Sequence, residues 1–296
     1  MHIDEYSAER LVALLPHPAH DANKYTRGKL VFVGGAAQYP GAAALAIGAA
    51  QRMGAGYVEA YCDPSAVSVV RSTRLSAVVR PWNELSWPDH PSSAKHPWAC
   101  LMGSGMDATD ALQKAQVLEA LAACTEPLVL DGGALGSLAC EAGCARAAAR
   151  ADRGESLVLT PHGGEAARLA AAAGIQPPDA DAGFEDRAAF ACELACAWGA
   201  TVLLKGPVSF IVSPRNPDRA IIMRCGTPAL AKAGTGDVLA GMVGALSAQG
   251  MGATEACVLG ATLHAQAARC AEKRWGDIAM IAEDVLACLG EATLIL

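Results

Sequence analysis

Gly226-Thr-Pro-Ala-Leu-Ala-Lys-Ala-Gly-Thr-Gly-Asp-Val-Leu-Ala-Gly241 sets a loop of small residues, Ala233 to Gly236, directly before one carboxylate, Asp237. Val238, Leu239, Met242, Val243 and Leu246 follow at the spacing of an apolar helix face. Glycine tolerates positive φ and lets a backbone come close to a ligand. A helix start carries unpaired N–H groups and the positive end of a dipole, which suits an anion. Gly234, Thr235 and Gly236 therefore read as a candidate anion hole, and Asp237 as either a helix cap or a base.

Upstream, short apolar runs alternate with Ala-rich helical stretches. Residues 4–15 read as a short helix with Leu11, Leu14 and Leu15 on one side, and His17-Pro-Ala-His20-Asp21 as a turn rather than a metal site. Lys29–Val33, Tyr57–Cys62, Ala77–Arg80, Ala99–Met102, Leu128–Leu130, Ser156–Leu159 and Thr201–Leu204 read as buried strands. Val208–Val212 and Ala220–Met223 read as an antiparallel meander, residues 81–97 as irregular, and 254–272 and 282–292 as helices. The alternation predicts one α/β domain over residues 1–296, a three-layer αβα stack on a mostly parallel sheet. Strand ends then meet Gly34-Gly35, Gly103-Ser-Gly105, Asp131-Gly-Gly133, Thr160-Pro-His162, Lys205-Gly206 and the Gly-Thr-Gly-Asp loop along one edge. Open α/β sheets bind ligands at that edge.

Bulk properties narrow the class. A net charge of −7 without a basic stripe argues against nucleic acid. Residues 30–51 carry no charge, but Gly34-Gly35, Gln38, Pro40 and Gly41 break them, so no membrane span is expected. The acidic start lacks the pattern of a signal peptide. Eleven cysteines, an odd number without a Cys-x-x-Cys pair in a chain of this size, point to reduced thiols and the cytoplasm. Cys140/Cys144 and Cys192/Cys196 read as small buried apolar residues. The loop at Gly34 is neither a Walker A motif nor Gly-x-Gly-x-x-Gly.

The residue types suggest handling of a phosphorylated small molecule. Backbone N–H groups of 234–236 can cradle a phosphate while Asp237 takes a proton from an attacking hydroxyl. Lys205 is either a phosphate contact or a solvated lysine. His162 reads as an imidazole facing the crevice, Glu165 as a first-turn complement to the helix dipole. Asp131 either faces the crevice or holds neighbouring loops.

Val33-Gly-Gly35 with Pro40-Gly-Ala-Ala43, Arg52-Met-Gly-Ala-Gly56, Gly103-Ser-Gly105, Asp131-Gly-Gly-Ala-Leu135, Thr160-Pro-His-Gly-Gly-Glu165, Leu204-Lys-Gly206 and Ala233-Gly-Thr-Gly-Asp-Val-Leu-Ala-Gly241 occur in this order. Ala248-Gln-Gly250 and Leu263-His264 extend the set, which spans about residues 28–270. Together they resemble the ADP-dependent NAD(P)H-hydrate dehydratase family, of ribokinase-like fold. The resemblance implies dehydration of the S epimer of hydrated NADH or NADPH, with ADP consumed to AMP and phosphate. It implies that Ala42, Gly105, His162 and Asp237 contact the hydrate, with Asp237 the base. Lys205, Gly206, Pro207, Val208, Ser209 and Gly236 would contact the adenine nucleotide, with Mg²⁺ bridging its phosphates and no protein-built metal site. A homo-oligomer, a tetramer, is expected.

Several positions depart from the family pattern. Ser104 replaces proline, Gly132-Gly133 replace Ala-Asp, Gly163 replaces proline and Ala233 a glycine. Only about 28 residues precede the first strand, so no N-terminal epimerase domain is expected and a separate epimerase is. Two rival readings share the glycine–aspartate loop. One is a ribokinase-like kinase acting on hydroxymethylpyrimidine, hydroxyethylthiazole or pyridoxal; the other is a catalytically silent nucleotide-binding regulator.

Overall fold

The structure is a computed structural model describing residues 1–296 except 88–92, 94, 180 and 225. Parts of the irregular stretch at 81–97 and of the polar linker at 175–184, and the thiol of Cys225, therefore lie outside the described residues.

Ten strands form one sheet: β1 (His2–Asp4), β2 (Lys29–Val33), β3 (Tyr57–Cys62), β4 (Val78–Pro81), β5 (Trp98–Met102), β6 (Leu128–Leu130), β7 (Leu157–Leu159), β8 (Thr201–Leu204), β9 (Ser209–Val212) and β10 (Arg219–Met223). Their spatial order is β1-β10-β9-β8-β7-β6-β5-β2-β3-β4. Neighbours pair in parallel except where β9 runs antiparallel to β8 and β10. The expected mostly parallel sheet is present, and β9–β10 is the expected meander.

The helices are α1 (Ala8–Ala13), α2 (Pro40–Arg52), α3 (Val67–Thr73), α4 (Ala111–Ala123), α5 (Gly133–Leu138), α6 (Glu141–Asp152), α7 (Gly163–Ala172), α8 (Phe184–Trp198), α9 (Thr235–Ala248), α10 (Ala253–Ala279) and α11 (Ala282–Ile295). Successive residues of a strand face opposite sides, and each side here is apolar. Leu30, Phe32, Leu101 and Leu203 pack with α2, α9, α10 and α11. Val31, Val33, Met102 and Leu204 pack with α4 to α8. The product is a three-layer αβα stack. No helix among the described residues is long and apolar enough to cross a membrane.

Two sequence expectations fail at the chain's ends. The N-terminal residues read as helix from residue 4, but His2–Asp4 adds a parallel strand to β10, and only Ala8–Ala13 is helical. The exposed edge of β10 offers unpaired backbone groups, and pairing there outweighs the weak amphipathic pattern of a short segment. Leu11 alone of the three leucines is buried. The helix expected at 254–272 continues to Ala279, bending at Gly276. Cys140, Cys144 and Cys192 are half-buried and Cys196 is exposed, so these four are not the buried apolar residues expected.

A close contact between α2 and α9 helps to place the carboxyl edge, with α9 lying on β5 and α2 on β3. A Cβ on Gly241 would lie 2.1 Å from the Ala46 carbonyl oxygen. Gly241→Ala should therefore push α9 off α2 and cost about 1–3 kcal/mol, as overpacking a close-packed interior does. Gly290→Ala on α11, where nothing lies within 4 Å, should be neutral or stabilising. Denaturant unfolding of the two variants compares them directly; equal midpoints would show that the α2–α9 contact is not under this constraint.

Candidate active site

Because the strands other than β9 run one way, their carboxyl ends share an edge, and backbone hydrogen bonds lace the loops there into one wall. Gly35 N–H donates to the Ser104 carbonyl at 2.9 Å, and Ala36 N–H to Gly105 at 2.8 Å. Gly133 N–H donates to Gly103 at 3.2 Å, and Lys205 N–H to Pro161 at 2.8 Å. Gly103 has φ 120°, and a Cβ there would stand 1.8 Å from the Asp131 carbonyl oxygen, so this crossing admits glycine alone.

Helix α9 begins at this wall. Its N-cap is Gly234, at φ 93°, and no side chain caps the helix. Asp237 is the third residue of the helix and lies in its first turn, so the N-cap position belongs to Gly234 and not to Asp237. The Thr235 hydroxyl donates to the carbonyls of Leu230 and Lys232, both at 2.9 Å, and ties the loop down. The N–H groups of the first turn have no intrahelical partners and open toward the edge.

Lys205 supplies positive charge beside them. A Cβ on Gly236 would lie 3.6 Å from its ammonium, so the two are neighbours. The ammonium donates to Asp131 at 2.7 Å and lies 4.0 Å from Glu165. Asp131 also accepts the Thr160 hydroxyl at 2.7 Å. Asp131 thus both faces the crevice and holds neighbouring loops. Burial works against the charge on Lys205, but Asp131 and Glu165 more than offset it and leave its pKa raised. It is not a solvated lysine.

Burial pushes the Asp237 carboxyl up to about 6, and the Asp131 charge adds to the effect. The Ser104 hydroxyl and the charge of Lys205 pull the other way, and Glu165 pushes up. A carboxylate tuned toward neutrality, next to a cation and free N–H groups, suits proton abstraction beside a phosphate.

Glu165 is the first-turn acid expected of it and does more. It is buried and closes a capping box, accepting the His162 N–H at 2.8 Å, and burial raises its pKa despite Lys205. His162 is the cap of α7: its Nδ1 accepts the Gly164 N–H at 3.0 Å, while 59% of the side chain stays exposed. The Nε2 atom lies 3.5 Å from Glu165. The proton of a neutral His162 therefore sits on Nε2.

The other sequence candidates fall on the same edge. Gly105 meets Ala42, whose Cβ would be 3.0 Å from a Cβ at 105, where α2 begins. Gly206, Pro207 and Val208 form the β8–β9 turn and Ser209 starts β9. Sequence reasoning gave no role to His264, which lies buried on α10; burial lowers its pKa to about 4. Its place in Leu263-His264 was the only signal. Among the described residues no group of His, Cys, Asp or Glu is arranged to hold a metal ion. The cation between Asp131 and Glu165 is Lys205. Two hollows lie elsewhere, about 600 Å³ where β7, β8 and β10 begin and about 770 Å³ between α2, α3 and α11.

A ribokinase-like superfamily protein from Enterococcus faecalis superposes on this chain with a TM-score of 0.78 at 20% identity, covering 99% of this chain and 96% of its own. The fold is ribokinase-like. The ADP/ATP-dependent NAD(P)H-hydrate dehydratase of Bacillus subtilis, co-crystallised with ATP and Mg²⁺, has a TM-score of 0.79 at 25% identity over 99% of this chain and 98% of its own. An ADP-dependent (S)-NAD(P)H-hydrate dehydratase from Xanthomonas campestris is 33% identical over 91% of this chain and 89% of its own length. A bifunctional NAD(P)H-hydrate repair enzyme from Mycobacterium leprae is 34% identical over 88% of this chain, which spans only 49% of that relative. Residues 30–289 match the family model of NAD(P)H-hydrate dehydratase, and the chain belongs to that family of enzymes.

Asp131→Asn should remove a charge that raises Asp237 and leave Lys205 to act on it more strongly. The Asp237 carboxyl, followed by ¹³C NMR, should then titrate below its starting value of about 6. A midpoint that stays in place would break the electrostatic link between the two residues.

Proposed function

We propose that this chain dehydrates the S epimer of hydrated NADH or NADPH to NADH or NADPH, consuming ADP to AMP and phosphate. The observation that supports it most directly is the Asp237 carboxyl, with a pKa of about 6, in the first turn of a helix whose start faces Lys205. Asp237 takes the proton of the hydrate's ring hydroxyl. The freed oxygen attacks the terminal phosphorus of ADP, and AMP leaves with the electron pair of the broken phosphorus–oxygen bond. Loss of phosphate and a ring proton then restores the double bond.

Gly234 to Gly236 and Lys205 stabilise the transferring phosphoryl group, where positioning and charge matter more than covalent chemistry. Residues 205–209 line the adenine nucleotide, and Ala42, Gly105 and His162 the hydrate. Mg²⁺ enters with the nucleotide as its counter-ion. The family resemblance adds a cytoplasmic homotetramer and an epimerase, as a partner or a domain, that supplies the S epimer. A ribokinase-like vitamin-precursor kinase is disfavoured by the family match over residues 30–289.

Protein given ADP, Mg²⁺ and the S epimer of hydrated NADH should restore absorbance at the reduced-nicotinamide band. Silence there, with phosphorylation of a thiazole or pyrimidine alcohol instead, would overturn the reading. Asp237→Asn should keep nucleotide affinity while kcat falls about 10²–10⁴-fold, the usual worth of a general base. Since the base must be ionised, kcat/KM should fall as pH drops through about 6.

A further inference from the structure

At the opposite edge of the sheet, where β7, β8 and β10 begin, lies the hollow of about 600 Å³. Three guanidiniums from three segments line it: Arg10 on α1, Arg215 in the β9–β10 turn and Arg219 at the start of β10. A lone exposed arginine needs no partner. Three around one hollow repel one another unless negative charge lies between them.

The chain's own carboxylates supply that charge only in part. Asp4 pairs with Arg219, whose Nε is buried and meets no acceptor among the described residues. Glu155 lines the hollow but is held by Arg150 at 3.2 Å and Arg153 at 2.7 Å. Half-buried Glu255 accepts the Tyr6 hydroxyl at 3.5 Å. Arg10 lies over the Tyr6 ring, 3.4 Å from its centroid, and donates to its hydroxyl at 2.7 Å. That contact fixes the guanidinium and leaves its charge without a counter-ion. Arg215 is exposed, and among the described residues neither it nor Arg10 forms an ion pair. The wall and its ion-pair partners thus carry five guanidiniums against three carboxylates, in a chain of net charge −7.

We propose that this hollow is a second binding site, for a phosphorylated small molecule whose phosphate lies between Arg10, Arg215 and Arg219. The guanidinium is planar, forked and always charged, and it matches phosphate oxygens two at a time. A phosphate dianion answers both unpaired arginines with one group. The space suits a ligand of nucleotide size. Strand β8 begins at this wall and leads to Lys205, so the two sites share a strand but no residue. The site needs neither Asp237 nor Lys205 and stands apart from the dehydratase reading.

The test uses the full chain with inorganic pyrophosphate as the probe, followed by amide hydrogen exchange. Exchange should slow at residues 213–219 and 252–255, and rising salt should weaken the effect. In Arg215→Gln, which alters an exposed side chain, the Kd read from that slowing should rise about tenfold, the usual worth of one charge-assisted hydrogen bond. With Arg10→Gln added, the slowing should vanish. Slowing confined to residues 205–209 and 234–237 would put pyrophosphate at the catalytic edge alone and overturn the proposal. Slowing at 213–219 that survives both substitutions overturns it as well, and so does unchanged exchange at both edges.

Discussion

The Lys205 ammonium lies 2.7 Å from the buried Asp131 carboxylate, at the edge where the parallel strands end. Taking two charges out of water is costly, and an ion pair in such a place is weak evidence for stability. Its value here is local. Asp131, braced by Thr160, and Glu165, braced by the backbone of His162, keep the lysine charged and fix it against Gly236. In a chain of net charge −7 this puts one ammonium near the first turn of α9. The same carboxylates push up the proton affinity of Asp237, so Lys205 and Asp237 share one electrostatic setting.

That setting depends on backbones packed closer than most side chains permit. Loops of different strands hydrogen-bond to one another, and Gly103 crosses the Asp131 carbonyl with no room for a Cβ. On the helical side, α9 lies against α2 at Gly241 and is sunk into the core along most of its length. A helix held this firmly can aim its N-terminus without a side-chain cap. The unpaired N–H groups a cap would have consumed stay available to a ligand.

Much of this was legible in the sequence because the signals were local and repeated. Buried parallel strands are short apolar runs, and Lys29–Val33, Leu128–Leu130 and Thr201–Leu204 showed them plainly. Glycines at strand ends marked the edge. Failures came where the deciding partner was distant in the chain. His2–Asp4 becomes a strand only because β10, more than 200 residues later, presents an open edge. Glu165 resembled an ordinary first-turn acid until folding buried it near Lys205.

The sequence by itself determined the αβα architecture, the glycine–aspartate loop and the family, since these rest on periodicity and on an ordered set of short motifs. Only the tertiary structure decided the surroundings of Asp237. Its immediate neighbours in the chain left it a cap or a base, and the ordered motifs favoured the base. Folding makes Gly234 the cap, half-buries Asp237 within the first turn, and brings Ser104, Asp131, Glu165 and Lys205 near it. Those four come from separate elements between residues 104 and 205, and a carboxyl's proton affinity is set by desolvation and by charges in space, neither of which local sequence encodes.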